Sequence, residues 1–265
     1  FIYYGVERTL TLSYGSLRQP NLRSSYTTFA LNKTAPIHRW FFYPEGFSGD
    51  FVDESIQRFG LSKGNVILDP FVGSGTALVS SKLNGVDSIG IDISPLMCFI
   101  SRMKTTFEVD ATELKIRMYE FIKKIKPILL STNKAENLLS FSEQFIESEE
   151  NFIPNIEAPH YTQMRRYFSD SVMNQLLLLK EQILKWEEEL SRDFLKLAFA
   201  SILIEVSNMK RMPDLTFDKF KKKADVFSKF RNKVDEICLD LFNLRSKPRV
   251  YGESKVLLGD ARRME

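Results

Sequence analysis

One stretch constrains this chain more than any other: V-I-L-D-P-F-V-G-S-G-T at residues 66–76. Residues 66–68 are a short apolar, β-branched run and predict a buried strand. Asp69-Pro70 ends it. Gly73 and Gly75 let the backbone turn sharply and approach a ligand closely. Residues 76–83 then read as a helix. Strand, glycine turn and helix N-terminus form the nucleotide cradle of an open α/β sheet. A second strand, S-I-G-I-D-I at residues 88–93, carries Asp92 near its end, where a carboxylate can take two ribose hydroxyls. Two common cradles are excluded. G-x-G-x-x-G fails because residue 78 is Leu, and a P-loop fails because no Lys follows Gly75.

D-P-F-V-G-S-G-T followed by G-I-D-I-S-P resembles the S-adenosylmethionine site of the DNA amino-methyltransferases, which methylate adenine N6 or cytosine N4. The resemblance implies a Rossmann-like α/β sheet. It places Asp69, Pro70, Phe71, Gly73, Ser74, Gly75 and Thr76 around the cofactor. Asp69 would accept from the methionine ammonium, Asp92 would take the ribose, and Ile93 would pack on the adenine. A simpler role for Asp69 is to cap the turn after its strand. RNA guanine-N2 methyltransferases have a similar cradle and form a second reading. A DNA-recognition subunit without catalysis is a third, against which the intact set of acids and glycines speaks.

Composition adds limits. The chain has 265 residues, 43% hydrophobic and 27% charged, enough for one large domain or two small ones. A net charge of +3 says little about partners. Cys98 and Cys238 lie far apart in a chain of cytoplasmic character, so no disulfide framework is expected. Two histidines, His38 and His160, and no Cys-x-x-Cys argue against a metal site. No apolar run reaches the length of a membrane span. The first residue is Phe1, so the natural N-terminus can lie further upstream.

Four parts are expected. Residues 1–35 read as an N-terminal arm, mildly basic, with a possible strand at 10–14. Residues 36–109 form the cofactor-binding α/β part. It opens on P-I-H-R-W-F-F-Y-P, and the family closes a segment here over the methionine end of the cofactor. Aromatic rings suit a sulfonium. Trp40, Phe41 or Phe42 is therefore expected at the cofactor, whereas Phe51, Ile56 and Phe59 are expected in the core, with Gly60 as helix cap. Residues 110–250 read as a large helical insertion, because apolar residues recur at three- and four-residue steps. Its basic clusters contain Arg165, Arg166, Lys210, Arg211, Lys221, Lys222, Lys223 and Arg231. They are either a solvated helix face or a phosphate-contacting surface for DNA. Residues 251–265 return as a third strand, and the resemblance puts Asp260 and Ala261 at the cofactor's adenine.

The catalytic residues are the gap. The family holds the target amine with Asp, Asn or Ser, then Pro-Pro, then an aromatic ring that stacks on the flipped base. No Pro-Pro pair occurs among the 265 residues, so no catalytic residue is assigned. The sheet is expected to be incomplete within this chain. With three strands, the one at residues 66–68 would be left as an exposed edge, which proteins avoid. A completing polypeptide, in cis or in trans, is the expected partner.

Overall fold

The computed structural model describes residues 2–3, 24–138, 154–157, 164–211, 215–218, 221, 225–245 and 250–263. The chain divides into two compact units, residues 1–108 with 244–265, and residues 109–243.

The first unit is an α/β sheet whose strands lie in the order β1 (Ile2–Tyr3), β2 (Val66–Asp69), β3 (Asp87–Asp92) and β6 (Ser254–Leu258). Strands β2, β3 and β6 are parallel, with Asp69 opposite Gly90 and Asp92 opposite Leu258. Parallel neighbours need crossovers, and α2 (Thr76–Leu83) supplies the first. Because the strands run the same way, Asp69, Asp92 and Asp260 all emerge at the carboxyl edge. That is the edge where open α/β sheets bind ligands.

The bare-edge expectation needs correction. A two-residue strand, β1 (Ile2–Tyr3), pairs antiparallel with β2, Ile2 opposite Ile67 and Tyr3 opposite Val66. Among the described residues, Leu68 and Asp69 have no strand on that side. The opening is thus confined to the half of β2 nearest the glycine turn. The possible strand at residues 10–14 lies outside the described residues.

Helix α1 (Gly49–Phe59) has clear local causes. Ser48 caps it by accepting from the Phe51 N–H, and Gly60 ends it in the left-handed region at φ 63°. Val52 and Ile56, one turn apart, join Leu61, Ile67, Val72, Ala77, Leu78 and Val86 in the core. Phe51 and Phe59 do not, as each keeps more than a third of its surface exposed. They lie beside the Val52–Ile56 stripe, and Phe51 packs instead on the ring edges of Phe47 and Tyr26. Helix α3 (Pro95–Thr105) follows β3, with Ser94 as cap and Pro95 in its first turn.

The second unit is mainly helical: α4 (Ala111–Leu138), α5 (Met164–Tyr167), α6 (Asp170–Leu184), α7 (Glu189–Val206) and most of α8 (Val226–Arg245). Leu114, Met118, Phe121, Ile122 and Ile125 are buried along α4, as a 3.6-residue period demands. Part of the region between α7 and α8 is extended. Strands β4 (Met209–Arg211) and β5 (Leu215–Phe217) make a separate antiparallel hairpin where the sequence suggested a basic helix face. No helix of the described residues is long and apolar enough to cross a membrane, and among them no group of His, Cys, Asp and Glu could hold a metal.

Candidate cofactor cradle

The turn between β2 and α2 is closed by backbone hydrogen bonds. The Val72 N–H reaches the Ile91 carbonyl at 2.9 Å, and the Gly75 N–H reaches the Val72 carbonyl at 2.8 Å. Gly73 and Gly75 sit at φ 48° and 81°, where side chains are strained. Space is restricted as well. A Cβ on Gly75 would stand 2.9 Å from Ser101 Oγ, and one on Gly73 would stand 2.9 Å from Tyr43 Cε1. Ser101 also donates to the Gly73 carbonyl at 3.1 Å, fixing the turn against α3.

Asp92 ties the two strand ends together. Its Oδ2 accepts the Gly73 N–H and its Oδ1 the Ser94 N–H, both at 2.9 Å. The carboxylate is therefore held in one orientation, and each oxygen keeps a second lone pair. Asp69 Oδ1 accepts the Phe71 N–H at 3.0 Å, so its turn-capping role is present. Burial, and to a lesser degree the charge of Asp92, pushes the Asp69 carboxyl above its usual range.

The rim is apolar and open. Phe71 and Ile93 are 76% and 71% exposed. Large apolar side chains left bare beside a polar cradle mark a ligand site. Ser74 is buried, and its Oγ has no hydrogen-bond partner among the described residues. Thr76 is buried at the start of α2, and Pro70 is half-buried. A nucleoside cofactor fits this set: a glycine turn, an oriented carboxylate, apolar faces and an orphaned hydroxyl.

Other expected cofactor residues are placed differently. Trp40 is fully buried among the core side chains. Phe41 is half-buried. Asp260 is held by Arg262 at 2.6–3.1 Å, which lowers its carboxyl below the usual range; Ala261 beside it is half-buried.

Two contributors escaped sequence reasoning. Tyr43 lies over Gly73, which makes it the aromatic ring nearest the turn that the strap before α1 supplies. Asn32, 1% exposed, bonds to three places. Its Nδ2 donates to the Phe47 carbonyl at 2.9 Å and to Thr76 Oγ1 at 3.3 Å, and its Oδ1 accepts the Gly49 N–H at 2.9 Å. It fastens the strap and the start of α1 to the first residue of the cradle helix. Nearby His38 is buried. Desolvation, and secondarily the Lys104 ammonium, lowers its pKa to about 3 and keeps it neutral.

The basic residues of the second unit divide. Lys221 Nζ donates to the Ile204 and Met209 carbonyls at 2.7 Å each, so it clamps the backbone and leaves the set of free surface cations. Its burial lowers its pKa. Arg166 is exposed and lies 5.9 Å from the Phe217 ring centroid; Lys210 pairs with Asp218 at 3.3 Å and Arg231 with Asp235 at 3.7 Å. Lys222 and Lys223, and the side chains of Arg165 and Arg211, lie outside the described residues.

Fold and turn together define a Rossmann-like sheet, incomplete among the described residues, with a glycine turn at its carboxyl edge. Residues 31–102 match the sequence profile of a family described as DNA methylase. The Type II methyltransferase M.BsoBI of Geobacillus stearothermophilus is 43% identical over 126 residues, which is 47% of this chain and 24% of that protein. The Type II methyltransferase M.MjaII of Methanocaldococcus jannaschii is 25% identical over 210 residues, 77% of this chain and 31% of that protein. A tRNA (guanine(10)-N2)-dimethyltransferase of Methanothermobacter thermautotrophicus is 28% identical over 167 residues, 57% of this chain and 48% of that protein. The chain thus spans about a quarter to a half of the length of these relatives. No solved structure matches it. Residues 31–102 are thus similar to the DNA amino-methyltransferases of the N6/N4 type, a family whose methyl donor is S-adenosylmethionine. The match begins ahead of Asn32, inside the segment that composition alone assigned to an arm.

Proposed function

We propose that this chain is the cofactor-binding part of a site-specific DNA methyltransferase acting on the exocyclic amine of adenine (N6) or cytosine (N4). The observation that carries the reading is the D-P-F-V-G-S-G-T turn with Asp92 locked onto the Gly73 N–H. S-adenosylmethionine supplies an electrophilic methyl group on its sulfonium. Gly73 and Gly75 leave room for it, and Asp92 accepts from the ribose hydroxyls. Asp69 accepts from the ammonium, and Ile93 packs on the adenine. Phe71, Ser74, Thr76 and Tyr43 enclose the remainder, and Asp260 with Ala261 borders the adenine edge. Asp69 is half-buried, which limits competition from water for that contact.

Positioning the amine in line with the methyl group supplies much of such a rate. No Pro-Pro-aromatic element occurs in residues 1–265. We assign that role to a following or partner polypeptide, docking beside Leu68 and Asp69 where β2 lacks a neighbour among the described residues. The reading places the protein in the cytoplasm with its DNA. The similarity to a tRNA methyltransferase supports a second reading, with RNA as substrate.

The test is tritium transfer from labelled S-adenosylmethionine to unmodified DNA or to tRNA, first with this chain alone and then with a completing polypeptide. Label entering DNA only in the mixture is expected. Label in tRNA would favour the second reading, and robust transfer by the chain alone would contradict the assignment of the catalytic element.

A further inference from the structure

We propose that the β4–β5 hairpin is a base-contacting ribbon for duplex DNA, with Leu215, Thr216 and Phe217 as its reading residues. The proposal rests on the DNA reading above and names the surface that recognises the substrate.

The hairpin is fixed at its base and bare along one strand. The Asn208 N–H donates to the Tyr167 carbonyl at 2.7 Å, and the Asp218 N–H donates to the Asn208 carbonyl at 2.9 Å. Lys221 grips the Met209 carbonyl, and the Met209 side chain is buried. By contrast all three residues of β5 are exposed, Leu215 at 39% and Phe217 at 44%. A rigid base beneath an apolar, exposed strand is an expensive arrangement unless something covers it.

Charge selects the occupant. Apart from Lys221, which is turned inward, residues 164–167 and 208–223 hold seven cations (Arg165, Arg166, Lys210, Arg211, Lys219, Lys222, Lys223) against two carboxylates, Asp214 and Asp218. Arg166 stands 5.9 Å from the Phe217 ring, so a cation flanks the aromatic surface directly. A two-stranded ribbon fits the major groove of B-DNA, where base edges can be distinguished. Alternation along β5 puts Leu215 and Phe217 on one face, suited to thymine methyls and base faces. Thr216 lies opposite Lys210 on the other, suited to hydrogen bonds. The surrounding cations add affinity without sequence information.

The experiment uses the full chain, a duplex pool randomised over about ten base pairs, one helical turn, and calorimetry with S-adenosylmethionine as an independent control. The unaltered chain is expected to enrich a common sequence from the pool. Phe217→Ser with Leu215→Thr should lower that enrichment about tenfold or more, the order of a lost base contact. The salt slope of total binding should stay unchanged. Thr216→Ala, which leaves the apolar pair intact, should shift the enriched sequence and keeps the test open if the first variant fails to fold. The same sequence enriched equally by the variants would overturn the ribbon. So would a chain that binds the pool without enriching any sequence. Cofactor binding with no DNA binding at all would overturn the DNA reading together with the ribbon.

Discussion

Replacing Asn32 by Ala should loosen the cofactor unit out of proportion to its size. Three bonds disappear, to the Phe47 carbonyl, Thr76 Oγ1 and the Gly49 N–H. The Gly49 N–H is at the first position of α1, where no carbonyl within the helix can replace the lost acceptor. A buried donor left bare costs about 1–3 kcal/mol, and an ordinary lost bond about 0.5–1.5 kcal/mol. We therefore expect a loss of roughly 2–4 kcal/mol, a large share of the usual 5–15 kcal/mol. Thr76→Val removes only the 3.3 Å bond and should lose about 0.5–1.5 kcal/mol. The two tryptophans separate the units, because Trp40 is buried in the first and Trp186 lies in the second. Urea unfolding followed by fluorescence in a Trp186→Phe background reports on the cofactor unit alone. If Asn32→Ala loses no more than Thr76→Val, the hub has been misread.

Other expectations follow from single residues. Gly73→Ala must place a side chain at φ 48°, costing about 1–2 kcal/mol, and its Cβ would meet Tyr43. Stability should fall, and Tyr43→Ala should lose less in the Gly73→Ala chain than in the unaltered one, because the steric part of the cost is relieved while the backbone part stays, as urea titration of the four proteins can separate. Burial, with the Lys104 charge second, lowers the His38 pKa from the ordinary 6.5 to about 3. The His38 contribution is thus complete above pH 6.5 and is lost as pH falls from 6.5 toward 3. The slope is about 1.4 kcal/mol per pH unit, so urea titrations at pH 5 and 7 should differ far less in His38→Gln. Lys221→Met should destabilise the helical unit by about 1–3 kcal/mol with little change in DNA salt slope, whereas Arg166→Gln should lower that slope by about 0.9 with little change in stability.

What could be read from the sequence was mostly local. The strand at residues 66–69, the helix from Thr76 and the Gly60 cap each depend on neighbours within a few positions, and all three are present. Asp92 could be placed at a strand end because an acid there follows directly from the pattern. The missed features are long-range. Asn32 meets Thr76 across 44 positions, and no periodicity marks it. Aromatic identity does not say which way a ring points: of Trp40, Phe41 and Phe42, one of which was expected at the ligand, Trp40 is buried, while Phe51 and Phe59 were expected in the core and are partly exposed. Lys221 sits in a run of lysines, yet two carbonyls turn it inward. The β4–β5 hairpin was hidden by the helical period on either side of it.

The most direct test of the central claim is a calorimetric titration of the chain with S-adenosylmethionine beside its Asp92→Ala variant. The account predicts one site per chain in the unaltered protein. It predicts affinity weakened by about 1.5–3 kcal/mol in the variant, the loss for hydrogen bonds to a charged group. Absence of binding, or equal affinity in the two proteins, would contradict it.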